Sequence, residues 1–204
     1  MDLSTHRAYV AHLCEQVRAR ALSVRYRLAP QNPFPAVLVD LLVEHLSLVS
    51  PHPGSLHKPV PTSKSVIGGD SAEASLSLAL LVTLLTLQRR GTHSIRFHGQ
   101  EVRIELPAGL AGVSPWCDVT RSMLSVFSNA QYDYIPPPFE RPDVQFHPLT
   151  LPPDHLWPCS ALRTDTYANG NSVVHPMVSP IATTKELWEG APPVYFNVGE
   201  ESHW

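Results

Sequence analysis

The stretch Val66-Ile67-Gly68-Gly69-Asp70-Ser71-Ala72 carries the sharpest local pattern in this sequence. Two apolar β-branched residues lead into a Gly-x-Ser turn, and helix-forming residues follow from Ala72 onward. This order predicts a strand that turns sharply into a helix, so that the side chain of Ser71 projects from the turn. The sequence therefore predicts a nucleophile elbow built by Gly69, Asp70 and Ser71.

A serine in this position has a chemical setting that suits a nucleophile. Its oxygen would stand at a helix N-terminus, where the helix dipole favours a developing negative charge. The backbone N–H of Ala72 would then point at the oxyanion of a tetrahedral intermediate. The plainer interpretation is that Ser71 only caps the helix, as serine commonly does without any catalytic role.

Helical and strand patterns alternate on both sides of this stretch. They predict helices at about 2–19, 36–49, 72–90 and 162–169, strands at 21–28, 65–68, 111–114 and 193–198, and a hairpin-like insertion over 94–106. Strands that alternate with helices of this length indicate β-α-β units and a parallel sheet. The helix at 72–90 is apolar nearly all round, which predicts that it lies in the centre of the protein.

The composition is that of a globular domain. The chain has 204 residues, of which 43% are hydrophobic and 16% charged, and its net charge is −3. No long basic run is present, which argues against nucleic acid as a partner. The three cysteines, at positions 14, 117 and 159, are far apart and odd in number, so neither a metal site nor a disulfide framework is indicated.

Neither a signal peptide nor a transmembrane segment is predicted. The first 20 residues contain His6, Arg7 and further charged side chains, which cannot form the apolar core of a signal peptide. The most apolar stretch, at 76–87, is too short to span a bilayer. We therefore expect a soluble chain, with the cytoplasm as its location.

Proline is the outlier in the composition, with 21 residues, most of them after Leu106. The Pro-rich stretch at 135–158 is not expected to be regular. We interpret 1–204 as a single domain with an irregular or lid-like insertion at about 119–170. The insertion is equally consistent with a substrate lid, a partner-binding segment and a plain surface loop.

Seven short segments, in the same order along the chain, resemble the hormone-sensitive-lipase-like branch of the α/β-hydrolases. They are Tyr26-Arg27-Leu28-Ala29-Pro30, Pro33-Phe34-Pro35-Ala36, Gly69-Asp70-Ser71-Ala72, Ser114-Pro115-Trp116 with Asp118, His175-Pro176-Met177-Val178-Ser179-Pro180, Trp188 with Gly190-Ala191-Pro192-Pro193, and Gly199-Glu200-Glu201. The resemblance implies an incomplete α/β-hydrolase fold, with three to four parallel strands, helices on both faces and an irregular insertion. It also implies a serine carboxylic ester hydrolase, in which Ser71 forms an acyl-enzyme with a small-molecule ester and no metal or organic cofactor takes part.

The sequence departs from this family pattern in several places. Glu73 and Ala74 stand where the family has glycine, and Arg25 stands where it usually has aspartate. The bulk and charge of Glu73 would lie close to the elbow. The family's His-Gly-Gly-Gly motif would precede Met1, and the acid and histidine of the triad would follow Gly199. We therefore expect a chain truncated at both ends, with little activity of its own, because a serine without its base is a poor nucleophile.

Four histidines are formal candidates for a replacement base: His57, His93, His175 and His203. A base must reach hydrogen-bond distance of the Ser71 hydroxyl, and no spacing in the sequence predicts that any of them does.

Five other side chains have a functional interpretation beside a structural one. Tyr26 and Arg27 lie at the end of the buried strand predicted at 21–28 and favour a structural clamp, since a buried arginine is normally paired. Trp116 and Asp118 could line a pocket but favour a structural role. Nothing near Cys117 in the sequence would lower its pKa, so a small buried side chain is favoured over a reactive thiol.

Three hypotheses remain open from the sequence. The first is a carboxylic ester hydrolase that uses Ser71, which the resemblance favours. The second is a catalytically inactive fragment or pseudo-hydrolase that binds a small ester or lipid without turnover. The third is the incomplete product of a longer gene.

Overall fold

The computed structural model describes residues 6–120, 122–129, 131–132, 167–168 and 172–199. In chain order these ranges contain α1 (Arg7–Val17), α2 (Ala36–Val49), β1 (Val66–Asp70), α3 (Ala72–Arg89), β2 (Ser94–Phe97), β3 (Gln100–Arg103), β4 (Gly109–Val113), α4 (Ser125–Ser128) and β5 (Val194–Asn197). Short 3₁₀-helices lie at Thr62–Lys64, Pro180–Ala182 and Lys185–Trp188. The Pro-rich stretch and most of the helix predicted at 162–169 lie outside the described residues.

β1, β4 and β5 form a parallel sheet with β4 in the centre. Asp70 lies opposite Val113, and Val113 lies opposite Asn197, so the three strands end together. Ligand sites of open α/β sheets lie outside the carboxyl ends of the strands. Ser71, which follows β1, therefore lies at the edge where a site is expected. The predicted parallel sheet with helices is confirmed.

α3 is the central helix of the protein, as the sequence predicts. It packs against β1 and β4 on one side and against α2 on another. Leu84 belongs to an apolar cluster with Leu38 of α2, and Leu81 to a second cluster with Leu110 of β4. By length and composition α3 could cross a membrane, but 61% of it is buried within the protein, as is usual for a core helix.

The insertion at 94–106 contains an antiparallel hairpin of β2 and β3. His98 and Gly99 form its turn with φ values of +48° and +79°. A two-residue type I′ turn requires a positive φ at both of these positions. Ile104 is buried in the cluster around α3, so the core anchors the end of the hairpin.

α1 covers Arg7–Val17 and ends shortly before position 19, the predicted end of the first helix. Positions 2–5 of the predicted range lie outside the described residues. Arg18 ends α1 in the left-handed conformation, at φ +52°. The apolar face of α1 is largely open, because Tyr9, Leu13 and Val17 are 50%, 43% and 70% exposed.

The strand predicted at 21–28 is wrong, because this segment is irregular. A strand requires a hydrogen-bonded neighbour, and no strand in the described ranges pairs with this segment. Side chains hold it instead. Arg27 Nη2 lies 2.7 Å from Asp40 Oδ1 on α2, and Tyr26 hydrogen-bonds to Glu73 at the start of α3. These contacts agree with the structural clamp predicted for Tyr26 and Arg27, but Arg27 is exposed, so the predicted burial of this arginine is wrong.

Candidate active site

Ser71 occupies the sharp turn between β1 and α3, with φ +56° and ψ −115°. A non-glycine residue in this region of backbone conformation typically costs about 1–3 kcal/mol and persists only where its surroundings enforce it. Three backbone hydrogen bonds do so here. The N–H of Ser71 donates to Val113 O (2.9 Å), and Ser71 O accepts from the N–H groups of Ser75 (3.2 Å) and Trp116 (3.0 Å). The predicted strand–turn–helix is therefore present, with a partly exposed serine at its turn.

Two glycines let the strand and the helix approach closely, although Glu73 and Ala74 are not glycine. A Cβ added to Gly69 would lie 2.3 Å from the backbone carbon of Glu73 and 2.5 Å from Ala74 N. A Cβ added to Gly112 on β4 would lie 3.3 Å from the Cβ of Ala74 and 2.9 Å from the ring of Phe196. The facing glycine thus makes room for the fully buried Ala74, and the elbow forms despite both departures from the family pattern.

The first turn of α3 provides unpaired hydrogen-bond donors beside Ser71. In the part of the chain that the structure describes, no acceptor meets the N–H of Ala72 or of Glu73. The first amides of a helix have no partner within the helix, and the helix dipole adds to their attraction for negative charge. The N–H of Ala72 is therefore available to a negatively charged group beside Ser71.

Two carboxylates flank Ser71 along the chain, and each has a partner from a distant segment. Asp70 Oδ2 lies 2.9 Å from Nε2 of His6, the residue that precedes α1. Glu73 Oε1 accepts a hydrogen bond of 2.7 Å from the Tyr26 hydroxyl. Burial of Tyr26, together with the Glu73 carboxylate, raises the pKa of its phenol well above the ordinary value. Sequence patterns alone did not predict either contact, since the partners are 64 and 47 residues apart.

The structure brings none of the described candidate histidines to the Ser71 hydroxyl. His57 and His93 are exposed. His175 Nδ1 accepts a hydrogen bond from the N–H of Met177 (3.2 Å), so this side chain stabilises the local turn that contains it. His203 lies outside the described residues. Within the described ranges, no side chain hydrogen-bonds to the hydroxyl of Ser71.

The residues after β4 support the site through packing and loop structure. Trp116 packs in a cluster with Val119 and Val178, in agreement with a structural role. Asp118 accepts hydrogen bonds from Thr120, Ser122 and the N–H of Met123. Burial raises the pKa of Asp118, but these hydrogen bonds outweigh it and the pKa lies below its ordinary value. Its carboxylate therefore organises the following turn.

The side chain of Cys117 is partly buried rather than fully buried as predicted. Burial raises its pKa above the ordinary value, which disfavours the reactive thiolate. Among the described residues, no group of three or more His, Cys, Asp and Glu side chains is arranged to hold a metal ion.

A family model described as alpha/beta hydrolase fold matches residues 1–203 of the chain. An esterase of Acinetobacter venetianus is 28% identical over 132 residues, which are 65% of this chain and 36% of the relative. An acetyl-hydrolase of Streptomyces hygroscopicus is 25% identical over 199 residues, which are 97% of this chain and 51% of the relative.

Solved structures with the same fold are also similar to this chain. A crystal structure of EstE5 soaked with p-nitrophenyl butyrate matches with a TM-score of 0.69 at 26% identity. An esterase from the bacterial hormone-sensitive lipase family matches with a TM-score of 0.67 at 25% identity. Each match covers 99% of this chain and 53% of the other. The chain therefore spans about half the length of the relatives it matches, or less.

Proposed function

The chain belongs to the α/β-hydrolase fold family, and we propose that it acts as a carboxylic ester hydrolase with Ser71 as its nucleophile. Relatives named esterase and acetyl-hydrolase support ester hydrolysis as the reaction. The observation that carries the proposal is the conformation of Ser71, φ +56° and ψ −115°, between the parallel strand β1 and the central helix α3. A serine that only capped a helix would not need this costly conformation, because N-cap residues normally adopt the β region.

In the proposed reaction, the Ser71 oxygen attacks the acyl carbon of the ester while a general base takes up the hydroxyl proton. The N–H of Ala72 stabilises the oxyanion of the tetrahedral intermediate. The intermediate collapses to an acyl-enzyme when the alcohol leaves with that proton. Water then attacks the acyl-enzyme by the same route, which releases the acid and restores the Ser71 hydroxyl.

Two parts of the proposal have no contact among the described residues to support them. The first is the general base, since no described side chain hydrogen-bonds to the Ser71 hydroxyl. The second is the covering of the site by a lid-like segment at about 119–170, of which the structure describes only parts. This covering and a location in the cytoplasm stay predictions. The name acetyl-hydrolase supports a short acyl group as the substrate class.

The test is hydrolysis of p-nitrophenyl acetate by the full chain, compared with Ser71→Ala and Ser63→Ala. Ser63 is an exposed serine shortly before β1, so its variant controls for the loss of a serine at the surface. We expect Ser71→Ala to lose the hydrolysis above background and Ser63→Ala to keep it. Equal rates for Ser71→Ala and the unchanged chain would remove Ser71 as the nucleophile.

A second candidate function is the binding of a small ester without turnover. The observation that favours it is the lack, in the described ranges, of a base at the Ser71 hydroxyl. In that case the ester would raise the melting temperature of the chain, and no hydrolysis would depend on Ser71. Hydrolysis that disappears in Ser71→Ala would exclude this alternative.

A further inference from the structure

We infer that Tyr26 is a positioning residue that keeps the carboxylate of Glu73 away from the oxyanion donors beside Ser71. The inference rests on the proposed function, since it concerns the same elbow. Its geometric basis is the hydrogen bond of 2.7 Å from the Tyr26 hydroxyl to Glu73 Oε1. Glu73 stands in the first turn of α3, two residues after Ser71.

The start of α3 attracts any carboxylate that can reach it. The N–H groups of Ala72 and Glu73 have no acceptor among the described residues, and the helix dipole favours negative charge at this end. Glu73 is the second residue of α3, and an acidic side chain in the first turn of a helix is attracted to the free backbone N–H groups there. A Glu73 carboxylate bound in this way would occupy donors that a substrate oxyanion requires. The Glu73 carboxylate would therefore compete with the substrate oxyanion for these N–H groups.

Tyr26 is suitably placed to restrain this competitor. Its side chain is half-buried, and burial and the nearby Glu73 and Tyr167 raise the pKa of its phenol, so the hydroxyl stays protonated and donates. A hydrogen bond to an ionised acceptor is roughly twice as strong as one between neutral groups. Neither of the two ion pairs among the described residues involves Glu73, so the phenol is the partner that these residues provide for its carboxylate.

The segment that carries Tyr26 is tied to the fold at two points, both of which follow Tyr26 in the chain. Arg27, the next residue, binds Asp40 of α2 through its backbone N–H and its guanidinium group. Phe34, further along the segment, donates its N–H to Tyr167 O (2.6 Å) and packs near the Tyr167 ring. The phenol of Tyr26 is therefore a fixed anchor, and Glu73 is the side chain that adjusts to it.

The rate test is a double-mutant cycle of Tyr26→Phe, Glu73→Ala and the pair, with p-nitrophenyl acetate as substrate. Loss of one oxyanion donor costs about 10²–10³ in turnover, so partial blockage in Tyr26→Phe should lower kcat by about tenfold or more and leave KM nearly unchanged. In the Glu73→Ala background the same change should alter kcat by less than about twofold, because the competitor is absent. Tyr9→Phe, on the exposed side of α1, is the matched control and should have no effect.

A second measurement does not depend on activity. Amide hydrogen exchange of Ala72 and Glu73, followed by NMR, should slow by about tenfold in Tyr26→Phe, because the freed carboxylate protects the amides, and should recover in the double variant. Unchanged exchange in Tyr26→Phe would overturn the inference, as would equal loss of kcat in both Glu73 backgrounds. If Ser71→Ala retains the full rate, the proposed function fails, and the exchange data still decide on Tyr26.

Discussion

Replacing Gly69 by alanine tests the close packing that holds the elbow together. The new Cβ would lie 2.3 Å and 2.4 Å from the backbone C and O of Glu73, and 2.5 Å from Ala74 N. Ordinary Cβ contacts begin at 3.4 Å, so the start of α3 would have to move by about 1 Å away from β1. The clash involves backbone atoms, which cannot rotate away as a flexible side chain would.

We expect Gly69→Ala to lower the free energy of unfolding by about 3 kcal/mol, the upper part of the range for overpacking. Urea unfolding measures this change, and with a denaturant slope of about 3 kcal/mol per M the midpoint should fall by about 1 M. Ser71-dependent ester hydrolysis should fall as well, because the displaced turn no longer presents the serine.

Gly68→Ala is the matched control, because Gly68 is the preceding residue of the same strand. An added Cβ there meets only Ala111 O, at an ordinary distance of 3.5 Å. We expect a change within about 0.5 kcal/mol for this variant. Equal midpoints for Gly68→Ala and Gly69→Ala would refute the reasoning that Gly69 is required by the approach of strand and helix.

Three further predictions concern the rest of the molecule. Burial lowers the pKa of His45 below its ordinary value. As the pH falls through about 6.5, the unfolded chain therefore binds a proton that the folded protein does not, and the free energy of unfolding should decrease. The free energy of unfolding of His45→Leu should not show this decrease. Equal dependence on pH in His45→Leu and the unchanged chain would contradict the prediction. Ser179→Ala removes a hydroxyl that donates to Val173 O (2.6 Å) and accepts from Val119 N (3.2 Å). Thermal unfolding should show that the free energy of unfolding falls by about 1–3 kcal/mol. A decrease below about 0.5 kcal/mol would contradict the role of these hydrogen bonds. β5 is an edge strand of the sheet that the described residues form, and its Tyr195 is 64% exposed. The 204-residue chain should therefore self-associate in sedimentation velocity, and Tyr195→Lys should reduce this; a monomer at every concentration would contradict the prediction.

The sequence predicted the elements that depend mainly on residues close together in the chain, namely the turn at Ser71 and the buried helix α3. Apolar β-branched residues, a Gly-x-Ser turn and helix formers specify the elbow at Ser71 within seven residues. The apolar surface of α3 predicts its burial, since a helix that is apolar all round has no face for water. The helix predicted at 72–90 ends at Arg89, and Gly91 follows it with φ +76°, a conformation that favours glycine.

The remaining features depend on contacts between distant parts of the chain. The segment at 21–28 has a strand-like pattern, but pairing depends on a neighbour that the pattern does not contain. The contact of Ala74 with Gly112 explains why the elbow tolerates a residue other than glycine, and it joins α3 to β4. Likewise, the effect of Glu73 on the site depends on Tyr26, whose hydroxyl a sequence pattern cannot place.

The most direct test of the account is to identify the residue that becomes acylated. The full chain is incubated with p-nitrophenyl acetate, quenched in acid and digested, and the peptides are mapped by mass spectrometry. The account predicts an acetyl group on the Ser71 hydroxyl, which accumulates if deacylation is slow and is missing from Ser71→Ala. An acetyl group found only on other side chains, with Ser71 unmodified, would contradict it.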